Sequence, residues 1–63
     1  GSYQYHITTA SDTWTITHNL GFVPNVLTTD LSGNEISGVV TDATISILQI
    51  TFSEPVSGYA YLS

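Results

Sequence analysis

The sequence predicts an all-β domain, a small antiparallel β-sandwich or barrel of about six short strands. Three observations lead there. Ten of the 63 residues are threonine; with the valines and isoleucines they favour pleated sheet over helix, because a branched β-carbon crowds the helical turn. No window shows a convincing 3.6-residue apolar period, and no position offers a well-capped helix start. Turn-forming clusters recur about every eight to twelve residues, the spacing of a sandwich or barrel.

Gly1 and Ser2 read as a cloning scar, leaving residues 3–63 as a single domain. Strand one is expected over residues 3–9, with Tyr3, Tyr5, Ile7 and Thr9 on one face and Gln4, His6 and Thr8 on the other. "ASD" (residues 10–12) turns the chain. Strand two, residues 13–18, points Trp14, Ile16 and His18 inward and Thr13, Thr15 and Thr17 outward. "NLGF" ends it, with Gly21 supplying a permissive backbone. Pro24 has no N–H for a ladder, so it stands at the start or edge of strand three, residues 25–30. "SGN" (residues 32–34) makes a hairpin loop. Strand four covers residues 35–41, with Gly38 as a bulge or close-packing point.

"TDAT" turns again, and strand five runs over residues 45–52. There Leu48, Ile50 and Phe52 share one face and Ile45 and Ile47 the other, which places this strand centrally or at a subunit contact. "SEP" (residues 53–55) makes the last corner. In strand six, residues 56–62, Val56, Gly58, Ala60 and Leu62 point one way and Ser57, Tyr59 and Tyr61 the other.

A chain this short supports one thin core, about 3–5 kcal/mol of stability without staples. It has no cysteine, so disulfides and thiolate zinc sites are excluded, and oligomerisation or a parent protein is the expected source of added stability. Five acids stand against no lysine or arginine, a formal charge of −5. That balance argues against nucleic acid, whose binding rests on cations neutralising phosphates, and against a basic membrane-surface helix. No apolar run approaches the ~20 residues of a spanning helix, and no secretory-leader pattern is visible. Sheets of this kind blunt their edges with lysine; with none available, the edges must be paired, twisted away or buried against another chain.

An enzyme is not expected. The serines lie in no Gly-x-Ser-x-Gly turn, and Asp12, Asp30, Glu35, Asp42 and Glu54 all fall in expected turns or at strand ends, where carboxylates stay solvated. No cofactor is expected either. A metal site could be drawn from His6 and His18 on neighbouring strands with Asp12 at the connecting turn, but their faces differ. The alternative is structural: His18 stays neutral, packs against apolar neighbours and bonds a turn group, with Asn19, Gly21 and Pro24 ending the strand. The tyrosines form two pairs, Tyr59 with Tyr61 and Tyr3 with Tyr5. Such pairs serve as a subunit interface or core, or as a stacking surface for sugar rings.

The stretches "TWTITHNLGFVPNV", "DLSGNEISG" and "ITFSEPVSGYAYLS" together resemble a small module at the C-termini of tailed-bacteriophage structural proteins, tail fibres and tail spikes above all. Trp14, Ile16, His18, Asn19, Leu20, Gly21, Pro24, Gly33, Phe52, Pro55, Gly58, Ala60 and Leu62 occupy the positions of that pattern. The resemblance covers residues 13–63. It implies the distal part of a longer fibre protein: a homotrimeric virion component acting outside the host cell, whose partners are a host surface polysaccharide or outer-membrane protein. Two further functions are open: a purely structural module that trimerises or caps a shaft, and a carbohydrate-binding module of a phage-borne enzyme. Modules of this kind often carry a basic residue where this chain has Tyr59.

Overall fold

The computed structural model describes residues 2–63; Gly1 lies outside the described residues. The protein is all-β, with strands β1 (Tyr3–Thr17), β2 (Val26–Thr29), β3 (Val39–Ala43) and β4 (Ile47–Leu62). They make one antiparallel sheet with β4 at its centre. β1 pairs with one side of β4 from end to end. On the other side, β3 pairs with the first half of β4 and β2 with the second.

Four strands replace the six expected because neither "ASD" nor "SEP" is a turn. Both segments stay in strand as bulges. Between the pairs Thr13–Thr51 and Ser11–Val56, one residue of β1 faces four of β4; between Ser11–Val56 and Ile7–Gly58, three of β1 face one of β4. The two irregularities largely offset one another, so the ladder resumes on both sides. Ser11 satisfies its own backbone neighbourhood there: its Oγ donates to the Thr13 carbonyl at 2.9 Å and accepts from the Thr13 N–H at 3.2 Å. Pro55, lacking a donor, falls inside the looped-out stretch, where none is needed.

The fourth expected strand is also displaced. Glu35 forms only an isolated bridge to Thr29, and the Ile36 N–H donates to the Thr28 carbonyl at 3.0 Å. Regular pairing begins only at Val39. Gly38 is a close-packing point: a β-carbon there would stand 2.6 Å from Ile50 Cγ2 and 2.7 Å from Phe52 Cε1. The turn expected at residues 41–44 centres on Thr44, whose Oγ1 accepts from the N–H groups of Ser46 (3.1 Å) and Ile47 (2.8 Å).

The long strands must bend. At ~3.3 Å per residue a straight β4 would reach about 53 Å, whereas the whole molecule spans 28 Å in its longest direction. The bulged stretch is the hinge, and it folds the two halves of the sheet over a shared core. Trp14, Ile16, Leu48, Ile50 and Phe52 enter from the first half and Ala60 and Leu62 from the second, all buried. Tyr5, Ile7, Leu20, Val26, Ile36 and Val56 pack around them. On β1 the inward set passes from odd positions (Tyr5, Ile7) to even ones (Trp14, Ile16), the change of face that a bulge produces. The Trp14 ring leans on Phe52 with centroids 4.6 Å apart and planes at 57°, and its Nε1–H donates to the Val56 carbonyl at 3.0 Å. Each large side chain so buried contributes roughly 1.5–3 kcal/mol.

Gly58 fixes where β2 can lie. A β-carbon on it would overlap the Thr29 carbonyl oxygen and stand 3.0 Å from Asp30 Cα. Those are backbone atoms, so they yield only if β2 moves. The Gly58→Ala protein is expected to lose about 3 kcal/mol, read as a lower urea midpoint. Gly33→Ala, at an open loop position of φ +89°, gives a smaller loss, set by backbone strain alone.

Candidate binding surface

The two halves of the sheet present unlike outer faces. On the first half, Thr15, Thr41, Gln49 and Thr51 bond to one another: Gln49 Nε2–H donates to Thr15 Oγ1 at 3.3 Å, and the Thr41 hydroxyl donates to Gln49 Oε1 at 3.2 Å and lies 3.2 Å from the Thr51 hydroxyl. Those four residues form a polar patch engaged with itself, flanked on the same face by the exposed side chains of Val39 and Ile47.

The outer face of the second half is aromatic. Strict alternation along β4 puts Gly58, Ala60 and Leu62 in the core, so Tyr59 and Tyr61 are driven outward. The register then sets two rows across β1, β4 and β2. One is His6–Tyr59–Thr29 and the other Gln4–Tyr61–Leu27. The His6 ring stacks on Tyr59 with centroids 4.5 Å apart and planes 19° from parallel. Tyr59 and Tyr61 follow at 6.3 Å and 33°. His6 and Gln4 are exposed, the two tyrosines partly so, and Leu27 is 47% exposed.

The other tyrosine pair lies elsewhere. Tyr5 sits opposite Ala60 and packs on the core, where the small alanine leaves room for the ring; Tyr3 stands opposite Leu62 at the sheet end, half exposed. The sequence reading missed His6 as a member of the outer row. Its alternation with Tyr5 and Ile7 placed it on the correct face, but only the β1–β4 register puts it beside Tyr59.

His6, His18 and Asp12 are not brought together. The two histidines belong to a single long strand and its end, not to neighbouring strands; His6 faces outward from one half of the sheet, and His18 is buried past the end of the other. Among the described residues no three His, Cys, Asp or Glu side chains converge as metal ligands. His18 Nδ1 accepts the Leu20 N–H at 3.0 Å, which places the proton of the neutral ring on Nε2, and Nε2 is buried without a protein partner. The N–H groups of His18 and Asn19 both donate to the Ser46 carbonyl (2.8 and 3.1 Å), and Gly21 N–H donates to the Ile45 carbonyl at 2.9 Å. Asn19 (φ 51°) and Gly21 (φ 82°) take the left-handed conformations of the turn, and Pro24 is buried below it.

At the far end of β2 the chain reverses over Asp30 and Asn34. The Asp30 carboxylate accepts from the N–H groups of Asn34 and Ser32, both at 2.9 Å, and from Asn34 Nδ2 at 3.2 Å. The bond from the Asn34 backbone is the largest influence, and together these donors hold the carboxyl below its ordinary range. A half-open groove of about 220 Å³ runs beside this loop, lined chiefly by Leu27, Ile36, Val40 and Ile50. Of its two hydroxyls, on Thr28 and Ser37, that of Thr28 is already committed to the Ile36 carbonyl.

Neither a family model, nor a curated protein, nor a solved structure matches the chain.

Two outcomes follow from these geometries. His18→Ala, which removes both ring and acceptor, is expected to cost about 2–3 kcal/mol, and His18→Asn, which restores an acceptor for Leu20, to recover part of it in urea denaturation. For Asp30, a depressed folded pKa means stability that is present above the unfolded carboxylate value of about 3.9 and is lost as the pH falls through the folded value. Asp30→Asn should therefore be less stable than the parent at pH 7, with the difference shrinking below about pH 4.

Proposed function

We propose that this chain is the distal module of a bacteriophage tail fibre or spike and attaches the virion to its host by non-covalent contact through the outer face of β1, β4 and β2. The observation that carries the reading is the strip His6–Tyr59–Tyr61, aromatic side chains turned away from the core. Aromatic rings left outward on a polar surface are the side chains most used for contact with partners. The resemblance of residues 13–63 to terminal modules of phage fibres supports the setting. In a homotrimeric fibre three such faces would act together, so weak single contacts sum to firm adhesion. The reading is non-catalytic; among the described residues no three His, Asp or Glu side chains converge.

A second reading, a module that trimerises or caps the fibre, draws on a different observation. β1 pairs on one side only, leaving its other edge open along 15 residues that contain neither lysine nor proline. The two are separated by changing Tyr59 and Tyr61 to serine together. Loss of adsorption to a panel of bacterial cells, with melting temperature and light-scattering mass unchanged, is the result expected for attachment. A fall in mass instead assigns the tyrosines to an interface between copies.

A further inference from the structure

Resting on the attachment reading, we infer that the His6–Tyr59–Tyr61 face takes an uncharged polysaccharide and discriminates against acidic ones. The argument starts from what the face lacks. An anionic sugar must exchange its hydration for hydrogen-bond donors or a cation, and an unpaired charge at a surface contact is costly. The chain has no lysine or arginine. Its only other basic side chains are His6, whose ring is stacked on Tyr59, and His18, which is buried.

The backbone donors of the central strand are unavailable as well, and those left free lie along the outer edge of β1. Over residues 59–62, β4 is paired with β1 on one side and β2 on the other, so its N–H groups are consumed by the ladder. Thr29 is buried and its hydroxyl donates to the Asp30 carbonyl at 3.0 Å. Among side chains that leaves the Gln4 amide, the ring nitrogens of His6 and the two phenols, groups that match sugar hydroxyls as donors and acceptors.

The surrounding charge points the same way. Thr29, at the β2 end of the row, is followed in sequence by Asp30 and bridged to Glu35. Two acidic residues therefore stand next to the β2 end of the row, and the chain offers no cation to offset them. They repel a uronate, sulfate or sialate and leave a neutral chain unaffected.

What the face does offer is a row of rings, His6 and Tyr59 stacked on one another and Tyr61 tilted beside them. Its 4.5 Å step is a direct cross-strand pair and its 6.3 Å step runs along β4, a strand paired on both sides, so little side-chain freedom is lost on binding. Leu27, opposite Tyr61, extends the apolar strip toward β2. The apolar faces of pyranose rings fit such a surface, and the hydroxyls at their rims find Gln4 and the phenols.

The test presents the bead-immobilised protein with two sets of soluble polysaccharides at pH 7.5: neutral mannan and laminarin, and acidic alginate and chondroitin sulfate. Retention of a neutral probe is expected, unchanged when salt is raised about tenfold. Tyr59→Ser and Tyr61→Ser should each weaken it by about tenfold or more, while Tyr59→Phe and Tyr61→Phe, which keep the rings, retain most of it. Unchanged melting temperatures show that the variants fold. Retention of only the acidic probes, lost in the serine variants, overturns the neutral class and leaves the attachment reading standing. Retention of no polysaccharide, with a smaller assembly in the serine variants, overturns both and makes the face a contact between copies.

Discussion

Everything in this fold depends on holding a bent sheet closed with very few side chains, and Trp14 is the residue that does it. Its ring belongs to the first half of the sheet, paired with Ile50 and leaning on Phe52. Its Nε1–H reaches the carbonyl of Val56, beyond the bulge on the same central strand. One side chain thus fills the core and ties the far side of the hinge to the near side. A phenylalanine would fill much of that volume but leave the Val56 carbonyl without its donor. A leucine would leave both a void beside Phe52 and an unpartnered carbonyl. The indole supplies the apolar body and the polar handle together, the combination that makes buried tryptophan worth its size.

The closure has a consequence for the opposite face. Folding the second half of β4 over the first requires small residues where the backbones approach, and the chain puts Gly58 against Thr29 and Ala60 opposite Tyr5. Because strand side chains alternate, the intervening residues have no choice of direction. Tyr59 and Tyr61 are outside because Gly58, Ala60 and Leu62 are inside. The aromatic strip is thus built on the most constrained part of the fold, a strand paired on both sides, and not on a loop. A contact surface so placed keeps its geometry without help from a ligand.

Much of this could be read from the residues. The alternation of Trp14 with Ile16, of Leu48 with Ile50 and Phe52, and of Gly58 with Ala60 and Leu62 identifies the buried faces, and the apolar density around residue 50 marks the central strand. The left-handed residues of the turn after His18 and the "SGN" loop were legible for the same local reason. What local signals could not reveal is continuity across the hinge. "ASD" and "SEP" have turn composition, and nothing nearby in sequence says that Val56 will find both Ser11 as a partner and the Trp14 indole as a donor. Those are contacts between residues more than forty positions apart. The place of His6 was hidden in the same way, since its stacking on Tyr59 follows from a register that those distant contacts set.

The hinge also bears on how a chain without lysine keeps a long strand edge from pairing at random. A straight, flat, 15-residue edge is a template for other strands. β1 is neither straight nor regular, because Ser11 stands between two register shifts and folds its own hydrogen bonds back onto Thr13. An incoming strand would meet a ladder broken in the middle, with Asp12, the only acid of β1, exposed at the break. Each remaining segment is short, and the two run in different directions once the sheet is bent. The same bulges that let 63 residues enclose a core therefore interrupt the edge, a task that other sheets give to charge. They leave two short edges open to an ordered neighbour while denying a continuous one to a disordered strand.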